Sequence, residues 1–202
     1  MKKALFSIAL ALFSTLPTFA QYSIGAGYLE STKNSGSVSS GQSGFYFGVN
    51  NAIGNLGPFK VTPGVFLEYA TSSSSVDYFG IAGASGKVTE VYLDIPVHLS
   101  YSVNVEGAKM FAFAGPMFSV GLVSDIESNA SILGHSTGST TIDQYAGNEN
   151  YGRFDLMVGG GVGVDINVLR LTLGYHYGLA DRDSGAADLH RSNFNIGLAF
   201  LF

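Results

Sequence analysis

Apolar and polar residues alternate one by one along most of this chain. The clearest stretch runs from Val91 to Tyr101, where every odd position is apolar and the even positions are mainly polar. Since successive side chains of a β-strand point to opposite faces, this pattern predicts a strand with one apolar face and one polar face. Similar alternation predicts eight strands, at residues 22–28, 44–50, 60–69, 91–101, 110–123, 154–166, 169–179 and 193–202.

The predicted connections alternate in length. The short ones follow the second, fourth and sixth strands, at 51–59, 102–109 and 167–168. The longer, polar ones follow the first, third, fifth and seventh strands, at 30–42, 71–87, 124–151 and 180–192. Short turns at one end and long loops at the other are typical of outer-membrane barrels. The sequence therefore predicts an all-β fold, an eight-stranded antiparallel up-and-down transmembrane β-barrel with short periplasmic turns and long extracellular loops.

The alternation of the predicted strand at 110–123 changes along its length. Phe111 and Phe113 take odd positions, whereas Phe118 takes an even one. We predict a bulge at Gly115 and Pro116 that reverses the faces, so that all three rings point outward. Local irregularity is further expected at the prolines within predicted strands, because each lacks a ladder donor. These are Pro63, Pro96 and Pro116.

The N-terminus has the features of an export signal. A basic start precedes an apolar stretch from Ala4 to Leu16, and small residues then lead to Ala20. This order is that of a secretory signal peptide with its cleavage site. We therefore predict a cleaved signal peptide at 1–20 and a single barrel domain at 21–202, located in the outer membrane of a Gram-negative bacterium.

Composition narrows the class of protein. The chain is 46% hydrophobic and only 12% charged, yet beyond its first 20 residues it has no run of about 18 apolar residues that could form a membrane helix. A net charge of −5 gives no basic excess for binding nucleic acid. Cysteine is absent, which excludes disulfides and thiol chemistry. We expect no cofactor and no metal.

The polar face of the predicted barrel carries the ionisable residues. The interior of a closed eight-stranded barrel is filled by side chains, so we assign the polar face to the lumen and the apolar face to lipid. Unpaired charge is costly in such a space, and we therefore predict a charge network that plugs the barrel. Its predicted members are Lys60, Glu68, Glu90, Asp94, His98, Arg153, Asp155, Asp165, Arg170 and His176.

Several segments resemble a known family. These are 92–99 (YLDIPVHL), 113–116 (FAGP), the glycine-rich 158–164 and 173–179 (LGYHYGL). They are similar to the Bacteroidetes outer-membrane β-barrel family called "porin family" or PorT-like, and so to barrels of the OmpX and OmpA type. The resemblance implies an eight-stranded barrel in the outer membrane, and PorT itself belongs to a protein-secretion system. The chain end resembles the signal read by the barrel-insertion machinery, through Ile196, Leu198, Phe200 and Phe202.

Catalysis is not favoured by the distribution of reactive side chains. The predicted lipid face holds no histidine, and the histidines and acids of the predicted loops (His135, His190, Asp181, Asp183 and Asp188) show no sign of convergence. The leading hypothesis is a non-enzymatic monomer in outer-membrane lipid, with a filled lumen and long loops that meet an extracellular partner. A narrow pore for ions or small solutes and an accessory barrel of a secretion system stay open as alternatives.

Overall fold

The computed structural model describes residues 21–35, 38–78, 82–132, 135–147, 151–182 and 188–202, and these are almost entirely β-strand. The strands are β1 (Gln21–Ser35), β2 (Val38–Leu56), β3 (Phe59–Tyr78), β4 (Ala82–Val105), β5 (Ala108–Ile132), β6 (His135–Asp143), β7 (Phe154–Ile166), β8 (Leu169–Gly178) and β9 (Leu189–Leu201). One short helix, α1 (Gln144–Gly147), follows β6. Among these residues, no helix is long and apolar enough to cross a membrane. The predicted signal peptide at 1–20 lies outside the described residues.

The strands form a closed antiparallel ring. Strand β1 pairs with both β2 and β9, and every other neighbouring pair is antiparallel as well. The ring runs β1-β2-β3-β4-β5-β7-β8-β9, while β6 pairs with the extracellular end of β5 and extends it as a hairpin. The predicted eight-stranded up-and-down barrel is therefore confirmed. Because the ring is closed, each strand has a neighbour on both sides for its backbone hydrogen bonds. Lipid cannot supply such bonds, so a membrane-spanning sheet has to be closed.

Much of the first three predicted extracellular loops is in fact strand, and the fourth is strand from Leu189. Strands β3 and β4 remain paired from Thr71 with Thr89 out to Tyr78 with Ala82. The alternation signal is missing here because both faces of these extensions meet water, so neither has to be apolar. Neighbouring strands that are already in register can simply continue their ladder. The wall of the barrel consequently rises well beyond its apolar belt.

The outer surface carries the apolar belt. Side chains such as Ile24, Leu171 and Leu198 are about half exposed and point away from the lumen. Aromatic rings border this belt on both sides, as they do in outer-membrane barrels. Tyr22 stacks on Phe202 near the periplasmic turns, and Phe45 stacks on Tyr69 at the other border.

Strand β5 differs from its prediction. Its pairing with β7 continues without a shift through Gly115 and Pro116, so the predicted bulge at that point is wrong. Phe111 and Phe113 consequently lie on the lumen side, where both line a cavity. The opposing strand makes this possible, because a Cβ atom on Gly161 would lie only 2.7 Å from Cζ of Phe113. Glycine in β7 leaves the space that the phenylalanine rings occupy.

The reversal of faces occurs nearer the extracellular end of β5. Val91 of β4 pairs with Val123, whereas the next residue, Tyr92, pairs with Gly121. Leu122 is therefore the extra residue of a bulge, and Leu122 and Val123 are both exposed. A bulge of this kind reverses the alternation of a strand. This reversal near Leu122 was not predicted from the sequence, and the reversal predicted at Gly115 and Pro116 does not occur.

The prolines lie where the ladders are locally interrupted. Between β3 and β4 the paired positions stop at Pro63 and resume at Phe66 in the same register. Between β4 and β5 they stop at Pro96 and resume at Leu99, again without a shift. This is the local irregularity that we predicted, because a proline has no N–H group to donate to the ladder.

Candidate functional site in the lumen

Most of the predicted charged residues lie inside the barrel. Seven of them are buried: Glu68, Glu90, Asp94, Asp155, Asp165, Arg170 and His176. Lys60 and His98 are half-buried and line the cavity that occupies the periplasmic half of the lumen. In β3, β4 and β8 the even positions face inward and in β7 the odd ones do, as alternation in a strand requires.

Arg153 is the exception, and its predicted position in the lumen is wrong. It is exposed and precedes β7, which begins at Phe154. Its guanidinium donates to the carbonyl oxygen of Gly121 at 3.4 Å and lies 4.2 Å from the ring centre of Tyr145. The alternation that places Asp155 inside holds only within the strand. It cannot be extended to a residue that precedes the strand.

Arg191 is the centre of the buried network, and the sequence prediction missed it. Its side chain donates to Oε1 of Glu68 at 2.9 Å and to Oγ of Ser119 at 2.8 Å. Oδ1 of Asp94 is 3.8 Å away, and the guanidinium lies 3.8 Å from the ring centre of Tyr92. One fully buried cation therefore lies between two buried carboxylates and on an aromatic face.

Arg182 forms a second layer closer to the extracellular side. It donates to the hydroxyl oxygens of Tyr92 at 2.8 Å and Tyr145 at 3.0 Å, and it lies over the ring of Tyr151. Burial raises the pKa of Tyr145 and of Tyr151 to about 12. These hydroxyls lie outside the membrane-spanning part of the strands, so the protein itself, rather than lipid, removes them from water.

Lys33 and Glu90 complete this layer. They form an ion pair, and Lys33 also donates to the hydroxyl of Tyr151 at 3.1 Å. Ser124 and Tyr151 both donate to Oε1 of Glu90, at 2.9 Å and 3.3 Å. We refer to the side chains of Lys33, Glu68, Glu90, Tyr92, Asp94, Arg182 and Arg191 as the extracellular plug. It lies across the lumen at the extracellular end of the belt.

The cations of the plug could have been found by extending the strands. Asn193 and Asn195 were predicted to face inward, and the same parity leads directly to Arg191. Lys33 likewise follows Ser31 on the inner parity of β1. Both lie in segments interpreted as loops, because those segments lack an apolar face. Arg182 follows β8 in a connection, so no strand pattern reaches it.

The periplasmic half of the lumen is less densely filled. It contains a cavity of about 140 Å³. Nε2 of His98 lies 3.1 Å from Nε2 of His176, and Nδ1 of His176 is 3.3 Å from the amide nitrogen of Asn195. Close to the turns, Arg170 binds Asp165 through two hydrogen bonds of 2.7 and 2.9 Å.

Those reactive residues of the predicted loops that the structure describes do not form a metal centre. His190 stacks on Tyr177 with ring centres 5.8 Å apart, and Oδ1 of Asp181 accepts from the backbone N–H of Leu189 at 2.9 Å. His135 is exposed at the start of β6. Asp183 lies outside the described residues. Within the described ranges, no group of three or more potential ligands could hold a metal ion.

A closed antiparallel ring with an apolar outer belt and a charged, side-chain-filled interior defines an integral outer-membrane barrel. A family model described as outer membrane protein beta-barrel domain matches residues 64–184, more than half of the chain. The chain belongs to this family and is an outer-membrane protein. No curated protein sequence matches it.

Among the solved structures that resemble this chain in outline, three serve as examples. Ail of Yersinia pestis, in complex with the heparin analogue sucrose octasulfate, is 16% identical, with 91% of this chain and 99% of that chain covered and a TM-score of 0.47. Neisserial surface protein A is 11% identical, with 90% and 97% covered and a TM-score of 0.48. The outer membrane enzyme PagL is 8% identical, with 89% and 98% covered and a TM-score of 0.40. Likenesses this distant carry no functional argument.

Proposed function

We propose that this protein is a non-enzymatic, monomeric scaffold of the outer membrane. The barrel anchors the chain in lipid and presents the extracellular hairpins as an interaction surface for an extracellular partner, while the plug closes the lumen. The observation that carries this proposal is the plug itself. Arg191 and Arg182, both fully buried, join opposite walls of the barrel through charged and aromatic partners.

The extracellular hairpins support the scaffold role. Strand β4 pairs with β3 on one side and with β5 on the other from Ala82 inward, and β6 continues this sheet. The result is a continuous polar sheet that projects from the barrel wall. Since its backbone is held by ladders on both sides of β4 and β5, its surface residues can vary without loss of the fold.

Current measurement in a planar lipid bilayer tests whether the lumen is closed. We expect the purified barrel to give no discrete current steps, because the plug side chains cross the lumen and bind one another. The double variant Tyr92→Gly and Arg191→Gly, which removes two of the three largest plug side chains, should produce steps and serves as the positive control. The heat-dependent gel mobility of folded barrels verifies that each variant has folded.

A different outcome favours the narrow-pore alternative. Discrete steps in the unmodified protein, altered in size or ion selectivity by Asp94→Asn or Arg170→Gln, would show that ions pass the plug and would overturn the closed-lumen proposal. Co-purification with periplasmic proteins would instead support an accessory role in secretion. Cross-linking on intact cells, followed by pull-down, identifies the partner of the hairpins.

Export and insertion form part of the same proposal. We propose that residues 1–20 are removed during export from a Gram-negative cytoplasm, and that the barrel-insertion machinery reads the outward apolar side chains of β9 together with Phe202. Support comes from Ile196, Leu198 and Phe200, which are about half exposed on the lipid face. The mass of the mature protein tests the first step, since it should correspond to a chain that begins at Gln21.

A further inference from the structure

The cavity in the periplasmic half of the lumen lies next to the plug and is separate from the extracellular hairpins. Its volume is about 140 Å³, and its apolar lining includes Leu29, Phe66, Phe111, Phe113 and Met117. A buried apolar cavity of about 150 Å³ is large enough to take up benzene. This cavity therefore has room for a single small ring or a short aliphatic chain.

Two lysines line the same cavity at its periplasmic end. Lys60 and Lys109 are each the second residue of their strand, β3 and β5, and so lie beside short turns. Their ammonium groups are close enough to repel each other. One carboxylate, that of Asp165, lies opposite Lys109 in the register of β5 and β7, but it binds Arg170 through two hydrogen bonds. Among the described residues, neither lysine forms an ion pair. Two lysines at one end of the cavity, beside a single carboxylate that already binds Arg170, form a site to which an anion would bind.

The cavity lies next to the periplasmic surface. Lys109 also borders a second, open depression of about 250 Å³ between two of the turns, together with Gly107 and Asn167. A small solute can therefore approach the lysines from the periplasm. At the opposite end of the cavity, the plug residues Glu68 and Asp94 form the wall. Their charge disfavours a carboxylate at that end and so sets the direction in which an anion would bind.

We propose that this cavity binds a small monoanionic amphiphile, a carboxylate attached to one aromatic ring or to a short aliphatic chain. The carboxylate lies between Lys60 and Lys109 and relieves their mutual repulsion. The apolar part lies among Phe111 and Phe113, where water would make few hydrogen bonds. This role goes beyond the scaffold function, because it needs neither an open lumen nor an extracellular partner.

Fluorine NMR with 4-fluorobenzoate as the probe tests the proposal on the barrel in phosphatidylcholine nanodiscs. We expect saturable binding that empty nanodiscs lack, and about tenfold weaker binding of the neutral isostere 4-fluorobenzamide, since it cannot form the charged contacts. The double variant Lys60→Gln and Lys109→Gln should weaken benzoate binding by a similar factor and leave benzamide unaffected. Lys87→Gln is the matched control, because Lys87 is exposed on the extracellular part of β4.

Several results would overturn the proposal. Absence of saturable binding, equal affinity for benzoate and benzamide, or an equal loss of binding in Lys87→Gln would each contradict a site built from these two lysines. Gel mobility of the folded barrel accompanies every variant. If the double variant fails to fold, the comparison of benzoate with benzamide on the unmodified protein still tests whether the site prefers a carboxylate. Conductance plays no part in this test, so its outcome is independent of the closed-lumen proposal.

Discussion

The two halves of the lumen fill the same cross-section in different ways. In the extracellular half, long charged and aromatic side chains such as Arg191, Arg182 and Tyr92 cross the barrel and bind one another. In the periplasmic half, the rings of Phe111 and Phe113 lie against the glycines of β7 and leave a cavity. One half is closed by ionic contacts, whereas the other is lined by rings around open space.

The difference shows where charge can be left without a partner. Deep in the plug, Glu68 and Asp94 share the single cation of Arg191, since an isolated charge there would be far from water. Beside the periplasmic turns, Lys60 and Lys109 line one end of the cavity, and among the described residues neither forms an ion pair. Access to water and to solutes makes that arrangement tolerable. We therefore associate rigidity with the extracellular half of the lumen and ligand binding with the periplasmic half.

Loss of the central cation should break the plug and have the largest effect. In Arg191→Met, Glu68 and Asp94 lose their buried partner, and removal of one member of a buried ion pair costs about 3–5 kcal/mol. We expect the free energy of unfolding to fall by that amount. Urea titration of the barrel in lipid vesicles, followed by circular dichroism, measures it.

Two controls separate charge from packing. Adding Glu68→Gln to Arg191→Met should recover part of the lost stability, because one of the two stranded carboxylates is neutralised. Arg170→Met is the matched change in the periplasmic half, where the cation has one partner and lies beside a turn, so its cost should be smaller. An equal cost for the two arginines would contradict the distinction between the halves.

The membrane-spanning core of the barrel could be predicted because lipid outside and a polar lumen inside require opposite kinds of side chain. Strand β4 shows this from Val91 to Tyr101, where the predicted faces agree with those of the structure, including the inward Asp94. Where both faces meet water, no such contrast exists. That is why the extensions of β1 and β9 were interpreted as loops, and why Lys33 and Arg191 were missed.

The periplasmic half was harder to predict for another reason. Phe111 and Phe113 are as apolar as the lipid-facing residues, so hydrophobicity alone assigned them to the outside. Only the opposing glycines show that the inside has room for them, as the contact between Gly161 and Phe113 illustrates. The register between β5 and β7 decides this, and a single strand carries no information about its partner. Charge alone is a similarly incomplete guide for Arg153. Its charge suggested a position in the lumen, but it precedes β7 and is exposed.

A pair of glycine substitutions sharpens the description of the periplasmic half. A Cβ atom at Gly161 would strike the backbone carbonyl oxygen of Leu173, whereas one at Gly197 would meet only the side-chain ends of Tyr46 and Thr172. Backbone cannot move aside within a closed ladder. Gly161→Ala should therefore lower the free energy of unfolding by about 1–3 kcal/mol, and Gly197→Ala by less than about 1 kcal/mol. The urea titration described for Arg191 measures both.

The same pair has an internal control. Addition of Tyr46→Phe should reduce the cost of Gly197→Ala, because it removes the hydroxyl that the new methyl group meets. If Gly197→Ala proves as costly as Gly161→Ala, side chains in this half are as immobile as the backbone. The cavity would then be a rigid void rather than a space that adapts to a ligand.

At neutral pH the smallest effect should come from the tyrosines at the extracellular end of the plug, since both are protonated there whether the chain is folded or unfolded; burial raises the pKa of Tyr145 and Tyr151 to about 12. In the unfolded chain a tyrosine ionises near pH 10, so between about pH 10 and 12 the unfolded state releases protons that the folded state keeps. The free energy of unfolding should therefore decrease as the pH rises through this interval. Ultraviolet absorbance of tyrosinate should show a late step near pH 12 whose amplitude falls in the double variant Tyr145→Phe and Tyr151→Phe. A titration of the unmodified protein without that step would mean that water reaches both hydroxyls, and that the two halves of the lumen are more alike than their contacts indicate.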